Sequence, residues 1–118
     1  MIKKYFRRFP HALRGLTYAL RHDFGFASQV ALAAIVALLA YYFFKPFSTI
    51  EALFLTLSTF LIFITELQNS ALEAALDRIH PELHDGIKHS KDMAAGAVFL
   101  AGIFFAIVLI TIGVDRLA

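Results

Sequence analysis

Two long stretches without a charged residue constrain the fold of this chain more than any other feature of its sequence. Residues 24–44 are apolar except for Ser28 and Gln29, and residues 93–114 carry no charge at all. As a helix, the first stretch rises about 31 Å, which is enough to cross the hydrocarbon layer of a bilayer. A soluble domain would instead interleave polar residues along every segment. The sequence therefore predicts membrane-spanning helices.

The composition agrees with this class of protein. Of the 118 residues 59% are hydrophobic and only 17% are charged, and the mean hydropathy is +0.70, a balance that ordinary soluble domains do not reach. The chain has no cysteine, which excludes disulfides and thiolate metal sites. The net charge of +2 is too small to indicate a nucleic-acid partner. The length predicts a single domain, residues 1–118.

A third apolar run, residues 50–65, continues without a helix breaker until Pro81, so one helix is expected to project past the membrane surface to residue 79. Ser48 or Thr49 is the expected N-cap, after a tight turn that contains Pro46. We thus predict an all-α membrane protein with spanning helices at about 24–44, 49–79 and 91–114.

The basic residues predict the orientation of these spans. Nine of the 11 Lys and Arg residues lie before the first span or around the loop between the second and third, whereas Lys45 and Arg116 lie on the other side. Because basic residues are enriched in cytoplasmic loops, the N-terminus and the loop from Arg78 to Lys91 are expected in the cytoplasm.

Residues 1–22 form a basic, amphipathic segment. Its apolar residues fall within an arc of roughly 100° on a helix, and most of its basic residues point away from that arc, as in helices that lie on an anionic membrane surface. Pro10 interrupts the pattern, so we expect the regular helix to begin there, with residues 1–9 as a separate turn or arm. A basic flank that only orients the first span is the alternative.

The second predicted span carries a stripe of polar residues at its cytoplasmic end. Glu66, Asn69, Glu73 and Asp77 lie within roughly 80° of one helix face. An unpaired carboxylate near the lipid boundary costs about 2–3 kcal/mol, so these groups are expected to face a polar cavity or a partner. One or two carboxylates, with water and phosphate, suit Mg²⁺. A solvated face balanced by basic neighbours is the alternative, least plausible for Glu66 because five apolar residues lie just before Thr65 and Glu66.

Other signals of a site are weak. The chain has no G-x-x-x-x-G-K-[ST] phosphate loop, and Gly96 and Gly102 are expected to be helix-packing positions. His80, His84 and His89 could suggest a metal cluster. Pro81 breaks the helix between His80 and His84, so their spacing does not guarantee a shared face, and solvated loop histidines are the favoured interpretation. The residues alone predict a polar, cation-binding site and no more specific function.

The sequence from Glu66 to Ile79, ELQNSALEAALDRI, followed by PELH at residues 81–84 and KDMAAGAV at 91–98, resembles the signature of the small bacterial diacylglycerol kinase and undecaprenol kinase family. The resemblance covers the whole chain. It implies a surface helix followed by three spans, a homotrimer with active sites between subunits, and a place in the bacterial inner membrane. It also implies transfer of the γ-phosphoryl group of Mg-ATP to a membrane lipid alcohol.

The resemblance also implies roles for individual residues. Glu66 matches the catalytic base and Glu73 a Mg²⁺ ligand, and Asp23 stands where the family usually has a glutamate as second metal ligand. Nucleotide or phosphate contacts are implied for Asn69, Asp77, Glu82, His84, Lys91, Asp92 and, less directly, Arg14. Ala27 and Gln29, close to Asp23 in the sequence, depart from the family pattern.

The acceptor and the class of function leave alternatives. Pro81 and the AAGAV entry to the third span favour undecaprenol, while Asn69-Ser70 and Asp77-Arg78-Ile79 also suit diacylglycerol. A non-catalytic membrane protein leaves the acidic stripe unexplained. An ion pathway would require acidic residues deeper in the membrane.

Overall fold

The computed structural model describes residues 1–79, 82 and 85–118, and this part of the chain forms four helices. They are α1 (Ile2–His22), α2 (Phe24–Phe43), α3 (Thr49–Ile79) and α4 (Asp85–Leu117). α2, α3 and α4 are each long and apolar enough to cross a membrane. The prediction of an all-α chain with three such helices is confirmed.

α1 is continuous through Pro10, so the expectation of a separate arm over residues 1–9 is wrong. A proline inside a helix removes its own N–H and leaves the carbonyl four residues earlier, here that of Phe6, without a donor. Both residues are exposed, so water can satisfy that carbonyl. One proline is therefore insufficient to end a helix whose other residues favour the helical state.

Short capping motifs separate the helices. Asp23 is the only residue between α1 and α2, and its carboxylate accepts a hydrogen bond from the backbone N–H of Phe26 at 3.0 Å. At the start of α3 the Ser48 hydroxyl accepts from the N–H of Glu51, whose carboxylate accepts from the N–H of Ser48. This reciprocal pair is a capping box, and of the two expected N-caps it identifies Ser48.

α4 begins at Asp85 rather than at residue 91. The uncharged run starts only at Met93, but the polar residues before it contain no proline and one glycine, Gly86, so they continue the same helix outside the apolar segment. Lys91 and Asp92 consequently lie within α4. The directions in which their side chains leave the backbone are therefore set by the geometry of a helix and not by that of a loop.

The core lies where α3 and α4 pack against each other, with α2 on one side. Small residues on α2 allow the helices to approach closely. Ser58, the most deeply buried side chain, bonds to the backbone carbonyl of Leu55, which satisfies its hydroxyl. The buried cluster consists of Ala33, Ala40, Leu55, Ile62, Ala101, Phe105, Val108 and Ile112.

Arg116 ties the end of α4 to the turn between α2 and α3. Its guanidinium donates to the backbone carbonyls of Phe44 and Pro46 at 3.0 and 2.8 Å, and it pairs with the carboxylate of Glu51 at 3.0 Å. The same group lies 6.0 Å from the ring centre of Phe47. One side chain thus joins three helices at the end of the bundle that carries this turn, which we call the turn end.

Replacing Arg116 with Gln should lower the stability of the folded protein, because Glu51 and two carbonyls lose their donors. Arg116→Lys should lose less stability than Arg116→Gln, because lysine keeps the positive charge although it lacks the forked geometry of the guanidinium group. Reversible unfolding in mixed detergent micelles measures both. A stability of Arg116→Gln equal to that of the wild type would contradict this role.

Candidate functional site

The polar stripe of α3 runs from a buried position to an exposed one. Glu66 is only 8% exposed, and Asn69, one turn later, is partly buried. Glu73 and Asp77 lie further along the helix and are exposed. The stripe therefore leads from the interior of the bundle to its surface at the end opposite the turn end, which we call the site end.

Packing of the α1–α2 junction against α3 brings a further acid to this stripe. The Ser70 hydroxyl lies beside the carboxylate of Asp23. Asp23 and Glu73 are the two acidic groups whose charges act on Glu66. Three carboxylates from two parts of the chain thus gather around one buried position.

The environment of Asp23 stabilises its ionised form. The hydrogen bond from the Phe26 N–H, followed by that from the Ser70 hydroxyl, holds the pKa of the Asp23 carboxyl below its ordinary value, against a smaller opposing effect of burial. A lowered pKa means that Asp23 stabilises the fold above the unfolded-state value of about 3.9. That contribution is lost as the pH falls through the folded-state pKa.

Replacing Asp23 with Ala should destabilise the metal-free protein by about 0.5–2 kcal/mol near neutral pH, as loss of an N-cap does. The difference from the wild type should shrink as the pH is lowered below about 4, because the wild-type carboxyl then becomes protonated. Unfolding in micelles across this pH range, with a chelator present, measures it. Asp23→Ser, which keeps a capping oxygen, is the control, and a pH-independent difference would contradict the assignment.

The donor set at this position fits a magnesium ion. In the described residues no three His, Asp or Glu side chains form a ready cluster of metal ligands. Mg²⁺, however, takes only one or two carboxylates from a protein and fills its octahedral shell with water and phosphate oxygens. The carboxylates of Asp23 and Glu73, whose charges act on that of Glu66, supply that number, and a divalent cation would relieve this repulsion.

At the exposed end of the stripe, Asp77 forms an ion pair with Lys91 of α4. The Asp77 side chain is 62% exposed and that of Lys91 is 28% exposed, so solvent screens the pair and its contribution to stability is small. The contact places a Lys ammonium beside the acidic stripe. Asp92 is exposed on the next position of α4.

Of the remaining predicted contacts, Arg14 is not placed at the stripe. Arg14 lies with Thr17, Arg21 and His22 around a cavity on the outer face of α1, and its guanidinium bonds to His11. Glu82 is exposed. His84, like Pro81, lies outside the described residues.

A groove of about 530 Å³ opens between α1 and α3 beside Asp23. Its walls are mostly apolar or small side chains, and its polar groups include the Asp23 carboxylate and the Ser70 hydroxyl. Gly15 lies in the wall, and a Cβ atom there would meet nothing within 4 Å. The groove is lined by Ala12, Gly15, Leu16, Tyr18, Ala19, Asp23, Leu67, Ser70, Ala71 and Ala74.

Sequence reasoning missed this groove and the pairing of Asp23 with Ser70. The pairing joins residues far apart in the chain, so no local pattern contains it. The role of Asp23 as a helix cap had a local signal, because an aspartate directly before an apolar helical run is a favoured N-cap.

Comparisons with known proteins find relatives that match most of the chain. The family model "Prokaryotic diacylglycerol kinase" matches residues 10–113. The diacylglycerol kinase of Helicobacter pylori strain J99 is 35% identical over 106 residues, which covers 90% of this chain and 81% of that protein. The undecaprenol kinase of Bacillus subtilis is 33% identical over 116 residues, covering 98% of this chain and 93% of that protein.

Proposed function

Because the chain belongs to the prokaryotic diacylglycerol kinase family, a family of lipid kinases, we propose that it transfers the γ-phosphoryl group of Mg-ATP to the hydroxyl of a membrane alcohol. The favoured acceptor is undecaprenol. The observation that carries the proposal is the buried carboxylate of Glu66 among the acidic groups of Asp23 and Glu73.

In this proposal Glu66 is the general base. Its carboxylate accepts the proton of the lipid hydroxyl as the hydroxyl oxygen attacks the γ-phosphorus, and the bond to the β-phosphate oxygen breaks to release ADP. A base at the buried end of the stripe meets an acceptor that stays in the bilayer. The exposed end of the stripe meets a donor that comes from water.

The other stripe residues would bind and position the donor. Glu73 and Asp23 would hold Mg²⁺, and the chemistry that the bound ion supplies is neutralisation of charge on the phosphates. Lys91 would exchange its contact with Asp77 for a phosphate oxygen, while Asn69 presents an amide next to the metal ligands. Asp92, Glu82, His84 and Arg14 are proposed as outer contacts to the nucleotide.

The groove between α1 and α3 supports an acceptor with a long apolar chain, because its apolar walls lead to Asp23 and so toward Glu66. Gly15→Leu should narrow this groove and raise the KM for the lipid acceptor severalfold, with the KM for ATP unchanged. Helix propensity favours this substitution, so loss of the fold does not account for the effect. Steady-state kinetics in mixed micelles measure it.

Thr17→Leu is the matched control for Gly15→Leu, since it adds an apolar side chain to the outer face of α1. Its lipid KM should equal that of the wild type. Equal lipid KM values for Gly15→Leu and the wild type would contradict the placement of the acceptor in this groove.

Diacylglycerol is the second candidate acceptor, and it is favoured by the names of several relatives. Undecaprenol is supported by the sequence pattern around Pro81 and by the near full-length match to an undecaprenol kinase. Purified protein should be given Mg-[γ-³²P]ATP with each alcohol in mixed micelles. We expect labelled undecaprenyl phosphate as the main product. Phosphatidic acid alone would identify the second acceptor, and no labelled lipid would contradict both.

The membrane arrangement completes the proposal. α1 would lie on the anionic inner surface of the bacterial cytoplasmic membrane, where its exposed apolar residues, such as Phe6 and Phe9, enter the interface. The N-terminus and the site end would face the cytoplasm, where ATP is found. A homotrimer would shield the exposed acids Glu73 and Asp77 from lipid with neighbouring subunits.

A further inference from the structure

Two adjoining cavities form a continuous furrow between α2 and α3 at the turn end. The first, of about 560 Å³, opens at the α2–α3 turn and includes Lys45, Ser48 and Thr49 in its lining. The second, of about 230 Å³, lies deeper along the same two helices. Tyr41 and Thr56 line both. We call the two cavities together the turn-end furrow.

The turn-end furrow has the length of one leaflet. From Thr49 to Phe60, its lining residues along α3 span about 16 Å of helix, roughly half of the 30 Å hydrocarbon core. It therefore begins at one membrane surface and ends near the midplane. One lipid molecule extends through this depth. A water-soluble ligand would gain nothing from contact with the apolar end of the furrow at Phe60.

Polar and apolar groups are divided along the furrow as they are along a lipid. Its surface end holds an ammonium group and two hydroxyl-bearing side chains. Its deeper end is lined largely by apolar side chains, among them Leu38, Leu55 and Phe60. A lipid tail gains little free energy when it exchanges contacts with other tails for contacts with the furrow. The polar groups at the surface end must therefore provide any selectivity among lipids.

The charge at the surface end favours an anionic headgroup. The Lys45 ammonium lies 5.2 Å from the ring centre of Tyr42, and among the residues described it forms no ion pair. The other cation at this end, Arg116, is engaged by Glu51. Lys45 is thus the available cation beside the furrow.

Thr56 provides a further polar group within the furrow. Thr59 and Thr65 on the same helix donate their hydroxyls to carbonyls of the preceding turn. Within the described part of the chain, the exposed Thr56 hydroxyl has no such bond. It lies at the junction of the two cavities, below the membrane surface, where an ester oxygen of a phospholipid would be its acceptor.

We propose that the turn-end furrow binds one anionic phospholipid from the leaflet opposite the site end. Its phosphate contacts Lys45 and the hydroxyls of the turn, and one acyl chain lies along Leu38 and Phe60. The surface end of the furrow, at Thr49, lies about 25 Å from Glu66 along α3. It is a lipid-binding site distinct from the acceptor groove between α1 and α3.

Photo-crosslinking locates the lipid directly. The full-length protein is placed in phosphatidylcholine nanodiscs that contain a minor fraction of phosphatidylglycerol with a diazirine on its acyl chain. After irradiation, peptide mapping should find adducts concentrated on residues 37–41 and 55–60. A phosphatidylcholine probe with the same diazirine chain should label these peptides much less.

Variants distinguish the furrow from general attraction to a basic protein. Lys45→Gln should lower labelling of the furrow about fivefold, the change expected for loss of one favourable surface charge. Lys88→Gln removes the same charge at the site end and should leave furrow labelling unchanged. Thr56→Phe fills the junction of the two cavities and should remove labelling below it. Circular dichroism verifies that each variant keeps its helices.

Three outcomes would overturn the proposal. One is equal furrow labelling by the two probes, and another is furrow labelling that neither Lys45→Gln nor Thr56→Phe reduces. The third is the absence of lipid adducts from the furrow peptides, the result expected if a second subunit covers the furrow.

Discussion

Glu66→Gln is expected to lower the rate of phosphoryl transfer by about 10²–10⁴-fold, the usual contribution of general acid–base catalysis. The amide has nearly the shape of the carboxylate but cannot accept the proton of the lipid hydroxyl. It also removes one negative charge from beside Asp23 and Glu73, so the fold should not be weakened. Initial rates of lipid phosphorylation measure the loss.

The matched control for Glu66→Gln is Asp85→Asn, which makes the same chemical change at an exposed position of α4 near the site end. Its rate should be that of the wild type. A Glu66→Gln enzyme that retains more than about a tenth of the wild-type rate would not be explained by loss of a general base.

Glu73→Gln is expected to lower activity by at least about 100-fold at low Mg²⁺, since even groups that only support a metal ligand contribute 10–100-fold. Raising the Mg²⁺ concentration should restore part of the rate, because the remaining ligands bind the ion more weakly. Rates measured across a series of Mg²⁺ concentrations give the shift in the apparent requirement.

Glu66→Gln should show no such restoration by Mg²⁺, which separates a base from a metal ligand. Asp115→Asn, at the turn end, is the control for loss of a carboxylate from an exposed helix position. An unchanged Mg²⁺ requirement in Glu73→Gln would remove Glu73 from the metal site.

The sequence was most informative where one local property decides the structure. Uncharged length predicted two of the three long apolar helices, and the absence of a breaker before Pro81 predicted the other, over residues 49–79, the range of α3. The helical periodicity that places Glu66 and Glu73 on one stripe needs only the geometry of a single helix. These inferences did not depend on knowing how helices pack.

Expectations failed or were incomplete where packing or solvent decides the outcome. Pro10 was expected to begin the regular helix, but α1 is exposed there and continues through it. Two contacts join distant parts of the chain: that of Asp23 with Ser70 and that of Arg116 with Glu51. No local sequence pattern indicates such contacts. The capping box at Ser48 and Glu51 did have a local S-x-x-E signal, and only its serine was singled out.

The central claim is that Glu73 helps to hold the metal and nucleotide while Glu66 performs the proton transfer. Electron paramagnetic resonance of Mn²⁺, titrated with a non-hydrolysable ATP analogue into the Glu66→Gln and Glu73→Gln proteins, tests this division directly. The account predicts that Glu66→Gln binds the Mn²⁺–nucleotide as the wild type does, although it phosphorylates no lipid, and that Glu73→Gln binds it far more weakly. Wild-type binding by Glu73→Gln, or loss of binding in Glu66→Gln, would contradict it.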